Sequence, residues 1–599
     1  MEKRSSLFMF FYLLSSLIHA YCQSDSISDW QEQIISLIEA EDFSESSYSR
    51  LLEMISDLEL NRNDTVFHKR IRQNIVLRSD FCMNIREGFH DVTQEKIAKN
   101  KAYRGDFFNH TIRYKIEVGK EWSGGFVLNK DAGECFQRRF PLFDSFSYYV
   151  SYKPHKKTFV DKIIAGKYNV KLGSGLILNQ KFSLGKAMAS DIFMRNSTSF
   201  SPHSSTDEYN YMQGIVGEFS NRHFQFSPFV SYKHLDAVVT NDTITSIPTD
   251  GYHRTNTEDL KRDKASVINA GFHASYISNW IEIGANFLYT RLSNPFFRPK
   301  RAYNINYYRG QTLLQGSLDY HARRFGFELR GETAIDQDCN FATINQLSHS
   351  IGEDWKAYLL YRYFSQKYQQ LYGATFCESS SLQGEQGAMF SIEGEPFAHW
   401  TLNFMFDYFH LSNIPYGFDA PLSGYELRTQ AKYSHRKISL LLSYRLKYKE
   451  AFRHGIDCVF AFAPIDGLKL KTQIRSKIYS SRKTGGFSLG YAVAQAVEWN
   501  KESSPFSIEA QGTWFDSADY ETRLYLSEKN ILYGFGLPML YGKGLRGSLT
   551  GSWKIVPRLI LDLKYTIYHY FDRDHISNGL QQIWGRNQQN LWVQVRVKI

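Results

Sequence analysis

The chain ends in strict alternation. Leu591, Val593, Val595, Val597 and Ile599 are apolar, and Trp592, Gln594, Arg596 and Lys598 lie between them. A period of two puts the two sets on opposite faces of a strand. From about Phe107 onward the same period recurs, clearly at 111–118, 144–152, 224–232, 318–326, 402–408, 438–444 and 559–565. Segments of this length, separated by turns, are the sequence form of a transmembrane β-barrel. Such a barrel must close on itself, because lipid cannot satisfy an open strand edge.

The connections carry the stronger argument. Short links at 221–222, 278–279, 397–398, 434–436, 464–466 and 556–557 alternate with long polar ones at 184–208, 240–263, 292–308, 337–353, 412–423 and 572–589. Counting strands back from the C-terminus places the short links on one side and the long links on the other. Outer-membrane barrels have short periplasmic turns and long outer loops. The reading is mainly β: a large transmembrane antiparallel barrel of about 26 strands, range 22–26, spanning 107–599. Strands at 172–183, 369–377, 520–527 and 530–537 belong to that count. The link 131–142 breaks the parity, being long yet periplasmic. The strand at 107–118 is expected to pair with the last one.

Before 107 the pattern differs. Residues 1–22 read as a signal peptide: Lys3 and Arg4, an apolar run at 7–18, and Ala20 before Cys22. Residues 23–80 read as a small helical segment, from Trp30, Ile34, Leu37 and Ile38, then Tyr48, Leu51, Leu52, Ile55 and Leu58, with a third helix over 66–76. Residues 81–106 form a linker. The expected location is the outer membrane of a Gram-negative cell, with the helical segment in the periplasm.

Composition supports this picture. The 45 Phe, 39 Tyr and 10 Trp in 599 residues suit strands and interfacial belts. No apolar run of the mature chain reaches the roughly 20 residues of a spanning helix. The net charge of +10 suits anionic headgroups or an anionic solute. The cysteines after the signal, Cys82, Cys135, Cys339, Cys377 and Cys458, are too scattered for a disulfide framework or a zinc site.

Four stretches resemble a family of large outer-membrane barrels from Bacteroidota, the helix-hairpin-helix (competence-type) domain-containing proteins. They are 103–134, with Phe107-Phe108-Asn109-His110 and Lys130-Asp131-Ala132-Gly133-Glu134; 164–186, IAGKYNVKLGSGLILNQKFSLGK; 525–541, YLSEKNILYGFGLPMLY; and the C-terminus. The resemblance implies a barrel preceded by a helix-hairpin-helix domain that grips the DNA backbone. Residues 58–63 are similar to its opening, but 70–88 lacks a hairpin glycine before Gly88, so that domain is eroded or missing.

Chemical motifs add no catalytic, cofactor-binding or metal residue. Gly486-Phe487-Ser488-Leu489-Gly490 matches a nucleophile elbow but continues as a strand, where an elbow needs a helix. Ser183-Leu184-Gly185-Lys186 and Lys483-Thr484-Gly485 match fragments of penicillin-recognising enzymes without their third motif. Gly173-Ser174-Gly175 fits a strand kink or a close backbone approach. His569, Asp572, Asp574 and His575 match no standard ligand spacing. Arg113, Lys115, Arg330, Arg428, Lys432, Lys469, Lys471, Arg475 and Arg596 alternate with apolar neighbours. A cation at the lipid midplane costs about 2–4 kcal/mol, so these are expected to face the lumen.

The expected function is that of a channel or a platform for an envelope assembly, not an enzyme. DNA handling is one alternative. Energy-coupled import of the TonB type is another, disfavoured because only about 80 residues separate the signal from the barrel and a plug needs well over 100. Expected partners are outer-membrane lipid and lipopolysaccharide, the barrel-insertion machinery acting on 591–599, and a periplasmic or outer-membrane protein.

Overall fold

The computed structural model describes residues 71–137, 142–156, 158–180, 198–481, 485–534 and 537–599. The signal peptide, the helices expected within 29–63 and the Ser183–Lys186 and Lys483 motif residues lie outside the described residues.

Twenty-four antiparallel strands close into one barrel. The first eight are β1 (Ile71–Cys82), β2 (Phe108–Val118), β3 (Trp122–Lys130), β4 (Ser145–Tyr152), β5 (Val160–Lys171), β6 (Met212–Ser220), β7 (Phe224–Leu235) and β8 (Ala265–Ile277). Next come β9 (Ile281–Phe296), β10 (Gly310–Arg324), β11 (Phe327–Asp336), β12 (Phe341–Ile351), β13 (Trp355–Phe364), β14 (Glu385–Phe397), β15 (Trp400–Leu411) and β16 (Leu422–His435). The last are β17 (Ile438–Lys449), β18 (Ala451–Ile465), β19 (Leu468–Ser481), β20 (Phe487–Asn500), β21 (Phe506–Ser517), β22 (Gly542–Val556), β23 (Leu559–Tyr570) and β24 (Asn587–Lys598).

Closure runs through β1, not through the strand at 107–118. β24 pairs with β1, Ser79 opposite Val593, and β1 pairs with β2, Ser79 opposite His110. The third helix expected over 66–76 is therefore replaced, from Ile71 on, by strand. Its apolar residues suit either period, and pairing on both edges decides for the strand. Residues 83–107 form an outer connection with a short helix, α1 (Gln94–Ala98), capped by the Thr93 side chain.

Of the strands expected at 172–183, 369–377, 520–527 and 530–537, the described residues are not part of the wall, and β12 lies inside the expected link 337–353. With β1 added and 172–183 removed, 131–144 falls among the long links, and the parity anomaly disappears. The links 119–121, 221–223, 278–280, 325–326, 352–354, 398–399, 436–437, 466–467 and 557–558 share one end of the barrel. The other end carries 83–107, 131–144, 172–211, 236–264, 365–384, 518–541 and 571–586, with tight returns at 337–340 and Glu450.

The wall has two faces. On β13, Tyr358, Leu360, Arg362 and Phe364 are buried, whereas Leu359 and Tyr361 between them are exposed at 54% and 50%. The exposed, apolar set is the lipid-facing surface, where hydrocarbon and not water covers it. With an apolar girdle around a closed ring, the fold is that of an outer-membrane β-barrel.

Candidate functional site

A ring of this many strands leaves a lumen that wall side chains cannot fill. Here, long outer connections fold back into it. Segment 524–534 touches β19 through Ser527 and Lys471 (2.8 Å), β22 through Glu528 and Arg546 (2.6 Å), and β23 through Glu528 and Lys564 (2.6 Å). It also reaches β1, where Arg78 donates to the Tyr533 carbonyl, and β2, where Arg113 lies over the Tyr533 ring. One segment can meet strands so far apart around the ring only from inside.

A second insert combines 172–180 with 365–384. Leu172, Leu176, Ile177, Leu178, Tyr368, Phe376 and Leu382 join inward residues of β5, β6, β7, β9 and β11–β15 in one buried cluster. Apolar burial of this size favours keeping the segment inside the ring. Polar pins fix its position. Glu332 of β11 accepts from the Ser174 and Leu176 amides at 2.6 and 3.2 Å. Arg362 meets Glu385 at 2.6 Å and Asp407 at 2.7 Å, all three fully buried, and Glu385 also accepts from the Glu378 and Ser379 amides. The Gly173-Ser174-Gly175 run is a tight turn here, not a strand kink. Gly175 has φ +92°, and a Cβ there would sit 2.5 Å from the Ala374 carbonyl oxygen. The close backbone approach expected of these glycines is present.

Between the two inserts lies a strip of wall that neither packs with apolar residues. The large cluster ends at Met405 of β15, and the cluster of the other insert resumes at Ala492 of β20. Lumen-facing side chains of β12 and β13 are buried, whereas most on β16, β17 and β18 keep partial exposure. This strip is basic. β16 brings Arg428 and Lys432 inward, and β17 brings Arg445, Lys447 and Lys449. β18 adds Arg453, and β19, at the margin, adds Lys469, Lys471, Arg475 and Lys477. The inward acids of these four strands are Glu426 and Asp457. Glu426 receives both Arg428 and Arg445, and Asp457 meets Arg475 at 3.6 Å. From the inserts, Glu378 meets Lys447 at 2.8 Å and Glu521 meets Arg453 at 3.0 Å.

All nine cations expected in the lumen face it. Arg330 pairs with Glu328 at 2.5 Å, Arg596 with Asp562 at 2.6 Å, and Arg113 donates to the Ser204 carbonyl. The sequence reading missed Arg445, Lys447, Lys449, Arg453 and Lys477, although their alternation with Leu446, Tyr448 and Phe452 carried the same signal.

At the outer end the connections interlock. Gln581 donates to the Tyr103 hydroxyl (2.7 Å), Trp584 to Glu87 (3.1 Å), and Asn256 to the Ile97 carbonyl (3.1 Å). Within this cap His253 hydrogen-bonds Asp144 through Nδ1 (2.7 Å) and Asp236 through Nε2 (3.0 Å), while its amide donates to Glu134. Burial opposes charge on His253, but the hydrogen bonds its ring donates to both carboxylates prevail and hold its pKa up at about 10. Burial, then the nearby Asp131 and Asp144, raises Glu134.

Glu134, Asp144 and His253 place ligand-type atoms within 4.8 Å of one another, but they do not fit a metal. An imidazole with a carboxylate on each nitrogen is protonated at both and has no lone pair for an ion. Arg262 also occupies Asp144. The cluster is an ion-pair strut. His569, Asp572, Asp574 and His575 are dispersed among Asn587, Arg573, Arg586 and the Trp584 ring. Ser488 lies inside β20, without the strand-to-helix turn of an elbow. The five cysteines after the signal are free thiols.

No protein-family model matches the chain, and no curated protein matches it. Among solved structures, the ferric enterobactin receptor of Pseudomonas aeruginosa is similar at 10% identity, over 88% of this chain and 80% of that one, with a TM-score of 0.41. A siderophore receptor from Acinetobacter baumannii gives 6% identity, 89% and 81% coverage and a TM-score of 0.43. A copper transporter gives 9%, 88%, 82% and 0.40. Nothing about solute or partner carries over at this level of likeness.

Proposed function

We propose that the protein is an outer-membrane channel of restricted bore, its lumen narrowed by its own outer connections. The observation that carries this reading is the partly exposed, charged strip on β16–β18 between two apolar inserts. A barrel without transport would gain more by packing that strip than by leaving Lys432, Arg445, Lys449 and Arg453 in contact with water. Purified protein in planar bilayers tests it. Discrete conductance steps support the channel, and a silent bilayer with correctly folded protein removes it.

The second reading is a platform for an envelope assembly, favoured by the extent of apolar filling in the lumen. A stable partner recovered from detergent-solubilised outer membranes would support that reading, with residues before Ile71 on the periplasmic side. The likeness to helix-hairpin-helix barrels belongs to the same proposal. Of its second and third stretches, 172–180 and 525–534 lie in the inserts, while 164–171 belongs to β5 of the wall. DNA handling predicts salt-sensitive DNA binding by the full-length protein, and no binding at low salt removes it. Import of the TonB type has no supporting contact among the described residues.

A further inference from the structure

We propose that the strip on β16–β18 is an anion path, selecting small oxyanions such as inorganic phosphate over cations along the length of the lumen; this rests on the channel reading. Three observations carry it. The first is charge. Arg428, Lys432, Arg445, Lys447, Lys449 and Arg453 face inward from three adjacent strands, six cations against four acids: Glu426 and Asp457 of the wall, and from the inserts Glu378, which meets Lys447 and Lys449, and Glu521, which meets Arg453. Acids on the flanking strands are engaged elsewhere: Asp407 of β15 holds Arg362, and Glu498 of β20 holds Lys529 at 2.5 Å. The strip therefore keeps a net positive field in a lumen with low-dielectric walls, which concentrates anions.

The second is spacing. Alternate residues of a strand stand about 6.6 Å apart. Arg445, then Arg453 opposite the buried Lys447, then Lys449 form such a ladder toward the outer mouth, with Lys432 and Lys469 nearer the short-link end. An anion can pass from one cation to the next without losing a partner. Weak, multiple sites of this kind are what conduction requires, and rings of Arg or Lys are how pores admit anions and phosphate.

The third is access. Arg445, Lys449 and Arg453 keep 16–18% of their side-chain surface, whereas Arg362, beneath an insert, keeps none. Water reaches the strip and is excluded from the neighbouring wall. The guanidinium forks of Arg445 and Arg453 also suit the paired oxygens of a phosphate.

The test is the reversal potential of the full-length protein in planar bilayers under a tenfold KCl gradient, repeated with phosphate and with Lys432→Gln/Lys469→Gln. Both substituted side chains lie toward the end of the barrel away from the inserts, and heat-modifiable migration on gels checks folding. The expected chloride-to-potassium permeability ratio is on the order of 10 for the parent protein. The double variant lowers it several-fold, and added phosphate reduces chloride current in the parent more than in the variant. Conductance that favours potassium, or shows no preference, overturns the anion path and leaves the channel reading standing. A preference for chloride that the double variant leaves unchanged also overturns the assignment to this strip. A folded protein that never conducts overturns both.

Discussion

At the scale of single residues, the interior is governed by charges that burial makes expensive and pairing makes stable. Arg362 is held between Glu385 and Asp407 with no exposure. Replacing it with methionine strands two carboxylates, at a cost of about 3–5 kcal/mol. The urea midpoint of the detergent-folded barrel is expected to fall accordingly, and an unchanged midpoint would show that the triad does not act as a pin. His253 makes a prediction with a sign. Its folded pKa, about 10, lies above its ordinary value of 6.5. Its contribution is complete below 6.5 and disappears as pH rises through 10. Glu134, raised by burial, acts in the same direction. Protection from deuterium exchange at 131–137 and 250–262, taken relative to the intrinsic rate at each pH, is therefore expected to fall between pH 6 and pH 10, with that of the barrel wall unchanged. Much of this scale was legible in the sequence. Cations that alternate with apolar residues must face the lumen, because lipid rejects them. The carboxylates that meet them were not legible, since Glu528, Glu378 and Glu332 approach across distances no local pattern encodes.

At the scale of elements, the inserts explain where pattern reading failed. Segments 172–180, 369–377, 520–527 and 530–534 carry apolar residues at strand-like density because they are largely buried. They are buried against the inner wall, not in lipid. β1 was missed because Ile71, Ile75 and Val76 also fit a helical face, and pairing to β2 and β24 is a long-range fact. Two substitutions probe the inserts separately. Glu528→Gln leaves Arg546 and Lys564 without their shared carboxylate, a loss on the order of 3 kcal/mol in docking of 524–534. Gly175→Val puts a branched side chain at φ +92° against the Ala374 carbonyl. Each is expected to raise single-channel conductance by freeing its insert, with the strand content measured by circular dichroism retained. Conductance equal to the parent in both would mean that the inserts do not narrow the lumen.

At the scale of the molecule, the reading of a barrel with long and short ends held because the strand errors cancelled. The alternation pattern omits β1 and β12 and includes four insert segments as strands, so it gives about 26 strands where the ring has 24, with most up-and-down directions preserved. Closure is the point on which everything else depends: it fixes which side chains face inward, and hence the inserts and the basic strip. The direct measurement is disulfide formation across the seam in a background without the native cysteines. With Ser79→Cys and Val593→Cys, opposite one another on β1 and β24, Cα atoms at strand-pair distance fall within the range a disulfide spans. Efficient cross-linking of this pair in outer membranes is predicted, with none for His110→Cys and Val593→Cys, which β1 separates by roughly 10 Å. Cross-linking of the second pair in place of the first would contradict a ring closed by residues 71–82.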